Sequence, residues 1–215
     1  MQIKFIYFDV ANTLLHKPQL WNNIQQVLRT HHYSVDKNLL QQRHKLLSEI
    51  IDFPIKTSRE FYDDFNHKLL LSLGIPSSSS LLEEIHDACV GLKWETFPDV
   101  DILNQLNIPV GILSNWDTSL KSKLASFFDV QFDQKIVSGD YNISKPNPKI
   151  FDIACDNLPQ YTRKEIAFVG DSIKLDTLPG ANAGMTTILL DRDDTYPSYP
   201  KRRIKTLSEL INITT

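Results

Sequence analysis

Two kinds of pattern alternate along this chain. Ile3 to Phe8 is a short run rich in apolar, β-branched and aromatic residues, as in a strand buried on both faces. Similar runs recur at Pro109–Leu113, Lys135–Ser138, Ile166–Val169 and Thr186–Leu190. Between them, helical patterns cover Pro98–Leu106, Ser119–Phe127 and Pro148–Leu158, and a helical turn leads to Gly184. Strands alternating with helices predict an α/β core built on a parallel sheet with right-handed crossovers.

Pro18 to about Trp94 breaks that alternation. Trp21, Ile24, Val27 and Leu28 recur at helix spacing, as do Leu39, Leu40, Leu46, Leu47 and Ile50. Thr57-Ser58-Arg59-Glu60 reads as a capping box opening a helix with Phe61, Phe65, Leu69 and Leu70 on one face. Ser80-Leu81-Leu82-Glu83 reads as a second box, after the break at Gly74-Ile75-Pro76. About four helices with no strand are expected here, an all-helical insertion over residues 17–94. The α/β core would then comprise residues 1–16 and 95–215.

Composition narrows the function classes. The chain has 215 residues, is 41% hydrophobic and 23% charged, and carries a formal net charge of -3. That balance gives no reason to expect a nucleic-acid or membrane-surface partner. The one dense basic run, Lys201-Arg202-Arg203, is expected to be a solvated surface turn. Cys89 and Cys155 lie in apolar helical patterns without CxxC spacing, which fits core packing and a reducing, cytoplasmic setting. The start lacks a signal-peptide pattern, and no apolar stretch approaches the ~18 residues of a membrane helix. The glycosylation patterns at Asn142 and Asn212 are read as chance on the same ground.

Polar residues then gather at the ends of the expected strands. They are Asp9, Ser114-Asn115, Lys145, and Gly170-Asp171 with Asp176 five residues on. Ligands of open parallel sheets bind beyond the carboxyl ends of the strands. Carboxylates from two strand ends can share a hard cation such as magnesium. A nearby lysine can neutralise a phosphoryl group or hold an aspartate ionised. A serine hydroxyl and backbone amides at a helix start can cradle phosphate oxygens. Together they describe a phosphoryl-handling site with Asp9 as the candidate covalent nucleophile. Taken singly, several have blander readings. Ser-Asn is common turn chemistry, Asp176 could cap a helix, and Pro146 and Pro148 could merely shape a loop.

In order along the chain, four motifs resemble those of the haloacid dehalogenase (HAD) superfamily. They are Phe8-Asp9-Val10-Ala11-Asn12-Thr13-Leu14, Ile112-Leu113-Ser114-Asn115, Lys145-Pro146-Asn147-Pro148, and Val169-Gly170-Asp171-Ser172 through Asp176 to Met185. The resemblance covers the core, and the insertion matches the family's helical cap only in position and character. It implies a Rossmann-like sheet and an aspartyl-phosphate intermediate on Asp9. It also implies Mg2+ held by Asp9, Asp171 and the Ala11 carbonyl. Ser114 and Asn115 would hold the transferred group, Lys145 would secure the nucleophile, and Thr13 and Asp176 would support the site. The implied partner is a small phosphorylated metabolite, handled by a monomer or a homodimer.

One position departs from the family's phosphatases. Their general acid, a second aspartate two residues after the nucleophile, is here Ala11. A methyl group transfers no proton. Four readings follow. The chain is a hydrolase that is slow, selective, or supplied with a proton donor by the insertion, with His16, His31, His32, Lys17 and Lys56 as candidates. It is similar to the phosphonatase branch, with Lys45 or Lys56 as a Schiff-base lysine. It is similar to the dehalogenase branch, against which Asp171 argues. Or it is a non-catalytic ligand-binding relative.

Overall fold

The computed structural model describes residues 2–54 and 57–214. It divides into two compact units, one of Met1–His16 with Glu95–Thr215 and one of Lys17–Trp94. The larger unit is α/β. Its strands are β1 (Phe5–Phe8), β2 (Leu15–His16), β3 (Glu95–Thr96), β4 (Val110–Ser114), β5 (Gln134–Val137), β6 (Ile166–Gly170), β7 (Thr186–Leu190) and β8 (Arg203–Ile204). Six of them form one parallel sheet in the order β5-β4-β1-β6-β7-β8. β2 and β3 pair separately as an antiparallel ribbon where the chain leaves and re-enters this unit.

Every residue of β1, β4 and β6 is buried, which explains their unbroken apolar reading. β1 lies at the centre, with Phe8 in register with Ile112 on one side and Val169 on the other. The chain winds outward through β4 and β5, then returns to β6 and winds the other way. This reversal puts a crevice beyond the carboxyl end of β1.

The smaller unit holds α1 (Leu20–Thr30), α2 (Lys37–Ile50), α3 (Arg59–Ser72) and α4 (Ser79–Cys89). Ile24, Leu28, Leu40, Phe65, Leu69, Leu70, Leu81 and Ile85 form its core. The larger unit continues with α5 (Leu120–Phe127), α6 (Ser138–Tyr141), α7 (Pro148–Asp156), α8 (Leu178–Asn182) and α9 (Ile211–Thr214). Among the described residues no helix is long and apolar enough to cross a membrane. Cys155 lies on the buried face of α7, and Cys89 packs against the core of the smaller unit; both are free thiols.

Several local expectations need correction. Neither capping box forms as read. Ser58 caps α3 by accepting from Phe61 N, and Ser78, not Ser80, caps α4 by accepting from Leu81 N. Ser80 instead donates to Glu84 one turn on. The helix expected over Pro98–Leu106 is a 3-10 helix over Val100–Gln105, and the Asp99 carboxylate at its start bonds Arg192 and Leu207 N instead of capping. Arg203 is no solvated turn residue either. It lies in β8 and donates to Asp191 and Asp194, while Lys201 and Arg202 are exposed.

Candidate active site

The site is assembled at the carboxyl ends of β1, β4 and β6. Asp9 N donates to Val169 O at 2.9 Å, extending the ladder one residue past β1 and fixing where the carboxylate emerges. The chain then turns on one atom. Val10 O accepts from the N–H groups of Thr13, Leu14 and Leu15 at 3.3, 2.9 and 2.9 Å. Asn12 adopts a left-handed conformation with φ 60°, which asparagine tolerates better than most residues. The turn brings Thr13 Oγ1 back to 3.5 Å from Asp9 Oδ2.

The other Asp9 oxygen is held firmly. Ser114 Oγ, at the end of β4, donates to Oδ1 at 3.1 Å, and Lys145 Nζ donates to the same atom at 2.7 Å. The ammonium also donates to Asp176 Oδ1 at 2.6 Å, so it bridges two carboxylates. Asp176 arrives on a π-helical turn, Ile173–Thr177, opened by Ser172, whose hydroxyl accepts from Leu175 N. Such wide turns often occur at functional sites. Ser172 N donates to Asp176 Oδ2 at 3.0 Å. Gly170 makes this approach feasible: a Cβ there would lie 2.3 Å from Asp176 Oδ2.

Asn115 does something the sequence did not suggest. Its Nδ2 donates to Lys145 O and its Oδ1 accepts from Lys145 N, both at 2.8 Å. The carboxamide grips the lysine's backbone like a short ladder.

The cluster gathers three carboxylates. One oxygen from each of Asp9, Asp171 and Asp176 lies within 4.8 Å of the others. Asp9, Lys145 and Asp176 are buried, and Asp171 is half-buried. Burial alone would lower the Lys145 pKa, but the Asp176 and Asp9 carboxylates outweigh it and raise it, so the lysine stays cationic. Burial pushes Asp176 up to about 7, with Asp9 and Asp171 adding to the rise and Lys145 opposing it. The three carboxylates offer hard oxygen donors, the chemistry that magnesium accepts. Both Asp176 oxygens are already engaged, by Lys145 Nζ and Ser172 N, which makes it a poor direct ligand.

The family model for haloacid dehalogenase-like hydrolases matches residues 3–184. The chain belongs to that family. It is 30% identical over 118 residues to pyrimidine 5'-nucleotidase YjjG of Escherichia coli, covering 52% of each protein. It is 34% identical over 128 residues to (S)-2-haloacid dehalogenase 4A of Burkholderia cepacia, covering 55% of this chain and 54% of that one. The chain spans about half, or less, of the length of the curated relatives it matches. In fold it is similar to the HAD-hydrolase YfnB from Bacillus subtilis, solved bound to magnesium. The TM-score is 0.66 at 19% identity, over 100% of this chain and 99% of that one.

Of the residues expected at a HAD site, the structure gathers Asp9, Thr13, Ser114, Lys145, Asp171 and Asp176, with Asn115 gripping the lysine loop. Ala11 is half-buried and bridges to Leu15 within the nucleophile turn. Three of the proton-donor candidates are occupied locally. His16 stacks on Phe97 at 4.1 Å, His31 pairs with Glu84 at 3.0 Å, and Lys17 sits 5.0 Å over the Trp94 ring. His32 is exposed in the turn after α1, and Lys45, the Schiff-base candidate, pairs with Glu49 at 3.4 Å. Lys56 lies outside the described residues. Ser172, as the Asp176 anchor, and Arg192 with Asp99 were not singled out from sequence. The last two lie 93 positions apart, and no local pattern links them.

Proposed function

We propose that this chain is a magnesium-dependent hydrolase of a small phosphorylated metabolite, working through an aspartyl-phosphate on Asp9. The observation that carries the reading is the Lys145 bridge between Asp9 and Asp176, inside a cluster where one oxygen each of Asp9, Asp171 and Asp176 lies within 4.8 Å of the others. Asp9 Oδ1 is pinned by Lys145 and Ser114, while Oδ2 has only the long Thr13 contact, so Oδ2 is the nucleophilic oxygen. It attacks phosphorus as the bond to the leaving oxygen breaks. Water then attacks the same phosphorus, phosphate departs and the carboxylate returns. Magnesium, held by Asp9, Asp171 and the Ala11 carbonyl, would supply the countercharge for the phosphate oxygens.

Ala11 sets the character of the enzyme. General acid–base catalysis contributes roughly 10²–10⁴-fold. Without it, alkyl phosphates turn over slowly, and aryl or acyl phosphates, whose leaving groups need no proton, lose less. Asp171 favours this reading over a dehalogenase, because halide displacement by Asp9 has no use for a cation site. The Lys17–Trp94 unit is, in this proposal, the cap domain that selects the substrate, and the free thiols suit the cytoplasm.

The test is a turnover screen with and without magnesium, with Asp9→Asn as the blank. The panel holds p-nitrophenyl phosphate, acetyl phosphate, nucleotides, sugar phosphates, phosphonoacetaldehyde and a 2-haloacid. Magnesium-dependent phosphate release that vanishes in the Asp9 variant is expected. Turnover that survives in Asp9→Asn would sink the nucleophile assignment, and halide release without magnesium would replace the phosphatase reading.

A further inference from the structure

We propose that Arg192 is a positioning residue for the nucleophile turn. Its guanidinium follows β7 and lies far from Asp9 in sequence, yet it holds the turn that carries Ala11 and Thr13. Arg192 Nη2 donates to Thr13 O at 2.9 Å and to Asp99 Oδ1 at 2.9 Å, and Nη1 donates to Asp99 Oδ2 at 2.7 Å. Asp99 is itself anchored, because its Oδ2 also accepts from Leu207 N at 2.8 Å. The guanidinium lies 3.9 Å from the Phe97 ring centroid, and His16 stacks on the same ring at 4.1 Å. Two flat groups this close to one centroid must occupy its opposite faces. Phe97 N in turn donates to Leu14 O at 3.0 Å, next to the carbonyl that Arg192 holds.

The turn is therefore held from two sides. Val10 O gathers the N–H groups of Thr13 to Leu15 on the β1 side. Arg192 and Phe97 hold the carbonyls of Thr13 and Leu14 on the other. Thr13 carries the hydroxyl that reaches Asp9 Oδ2, and Ala11, the proposed carbonyl ligand, is two residues before it. A small displacement of such a turn is amplified at the reacting atom, since a misplacement of about 1 Å can cost ~10²-fold in rate. The planar fork fits this arrangement. Its two nitrogens meet one carboxylate while one of them also reaches a carbonyl, a geometry lysine cannot copy. The ribbon β2–β3, where the chain leaves and re-enters the α/β unit, is thereby tied by Phe97 and Asp99 to the turn that positions the nucleophile.

The kinetic arm of the test rests on the hydrolase reading, and the exchange arm does not. Hydrogen exchange is measured on Arg192→Met, which keeps the apolar stem and removes the fork. The amides of Thr13, Leu14 and Leu15 are expected to exchange about tenfold faster or more, while those of β4 and β6 keep their protection. In parallel, kcat is expected to fall ~10–100-fold with KM within about twofold, and Arg192→Lys is expected to recover part of it. Unchanged exchange at Thr13–Leu15, or a loss spread evenly over the whole sheet, overturns the proposal. If Arg192→Met does not fold, Asp99→Asn takes its place, and the same local signature is required of it. A wild-type protein without turnover would remove the hydrolase reading and leave the exchange result to decide.

Discussion

The carboxyl end of the sheet and the helical unit solve opposite problems. At the sheet end, Asp9, Ser114, Lys145 and Asp176 are buried, polar and joined by bonds of 2.6–3.1 Å to partners up to 136 residues away. In the helical unit the core is Phe65, Leu69, Leu70 and their apolar neighbours, and charged pairs such as Lys68–Asp64 sit at the surface. Apolar packing is non-directional and roughly additive in area, so its stabilisation is spread over many residues. A buried charge cluster is directional, and removing one member leaves the others uncompensated. Single changes should therefore act abruptly at the sheet end and more gradually among the helices.

The sharpest break is expected from Lys145→Met. It leaves Asp9 and Asp176 buried without their shared cation, which costs ~3–5 kcal/mol of stability in buried pairs of this kind. Turnover should vanish and magnesium should restore part of the lost stability, as thermal unfolding with and without the ion would show. A loss of stability that magnesium does not touch would count against a cation site beside Asp9.

Phe65→Ala is expected to cost ~3–5 kcal/mol as a cavity. The ring is buried and lies 4.9 Å from His44, 5.5 Å from Phe53 and 6.3 Å from Phe61. Denaturant unfolding would measure it, and Phe65→Leu should recover most of the loss, the tolerance that the sheet end lacks.

Ala11→Asp probes the polar side from the other direction. It should raise turnover of alkyl phosphates by ~10²-fold or more, about 3 kcal/mol of barrier, and change aryl phosphates much less. Equal changes on both classes would show that proton transfer to the leaving group is not what Ala11 withholds.

The smallest effect is expected from acid acting on the helical unit. His44 lies edge-on between Trp21 at 5.0 Å and Phe65 at 4.9 Å, and burial lowers its pKa from 6.5 to about 4, with Lys45 adding to the fall. The unfolded chain thus takes up a proton near pH 6.5 that the folded chain refuses until about pH 4. Stability from this group is full above pH 6.5 and drains as pH falls toward 4. His44 is half-buried as a residue, so the loss should be at most about 2–3 kcal/mol. His44→Phe should flatten that part of a pH-stability curve, and an unchanged slope would assign it to other groups.

Much of this protein is legible in the order of its residues. Continuous apolar runs mark β1, β4 and β6, because a strand buried on both faces tolerates nothing else. A polar residue at the end of each run marks the reacting end of the sheet. Asn115 is legible as a site residue, but its grip on the Lys145 backbone is not, because a motif names a residue and not the atoms it faces. The capping serines fall one or two residues away from where the pattern puts them, since neighbouring Thr57 and Ser58, or Ser78 and Ser80, offer the same hydroxyl chemistry.

Local pattern determined the strands β1, β4, β5, β6 and β7, the four helices of the smaller unit and the identity of most chemistry-bearing residues, because burial and periodicity act within a few positions of each residue. Only the tertiary structure decided that Lys145 bridges Asp9 to Asp176, that Gly170 leaves room for that bridge, and that Arg192 reaches Thr13 across 179 positions. Those bonds depend on which strand ends lie side by side. That order is a property of the whole sheet, and no short stretch of the chain encodes it.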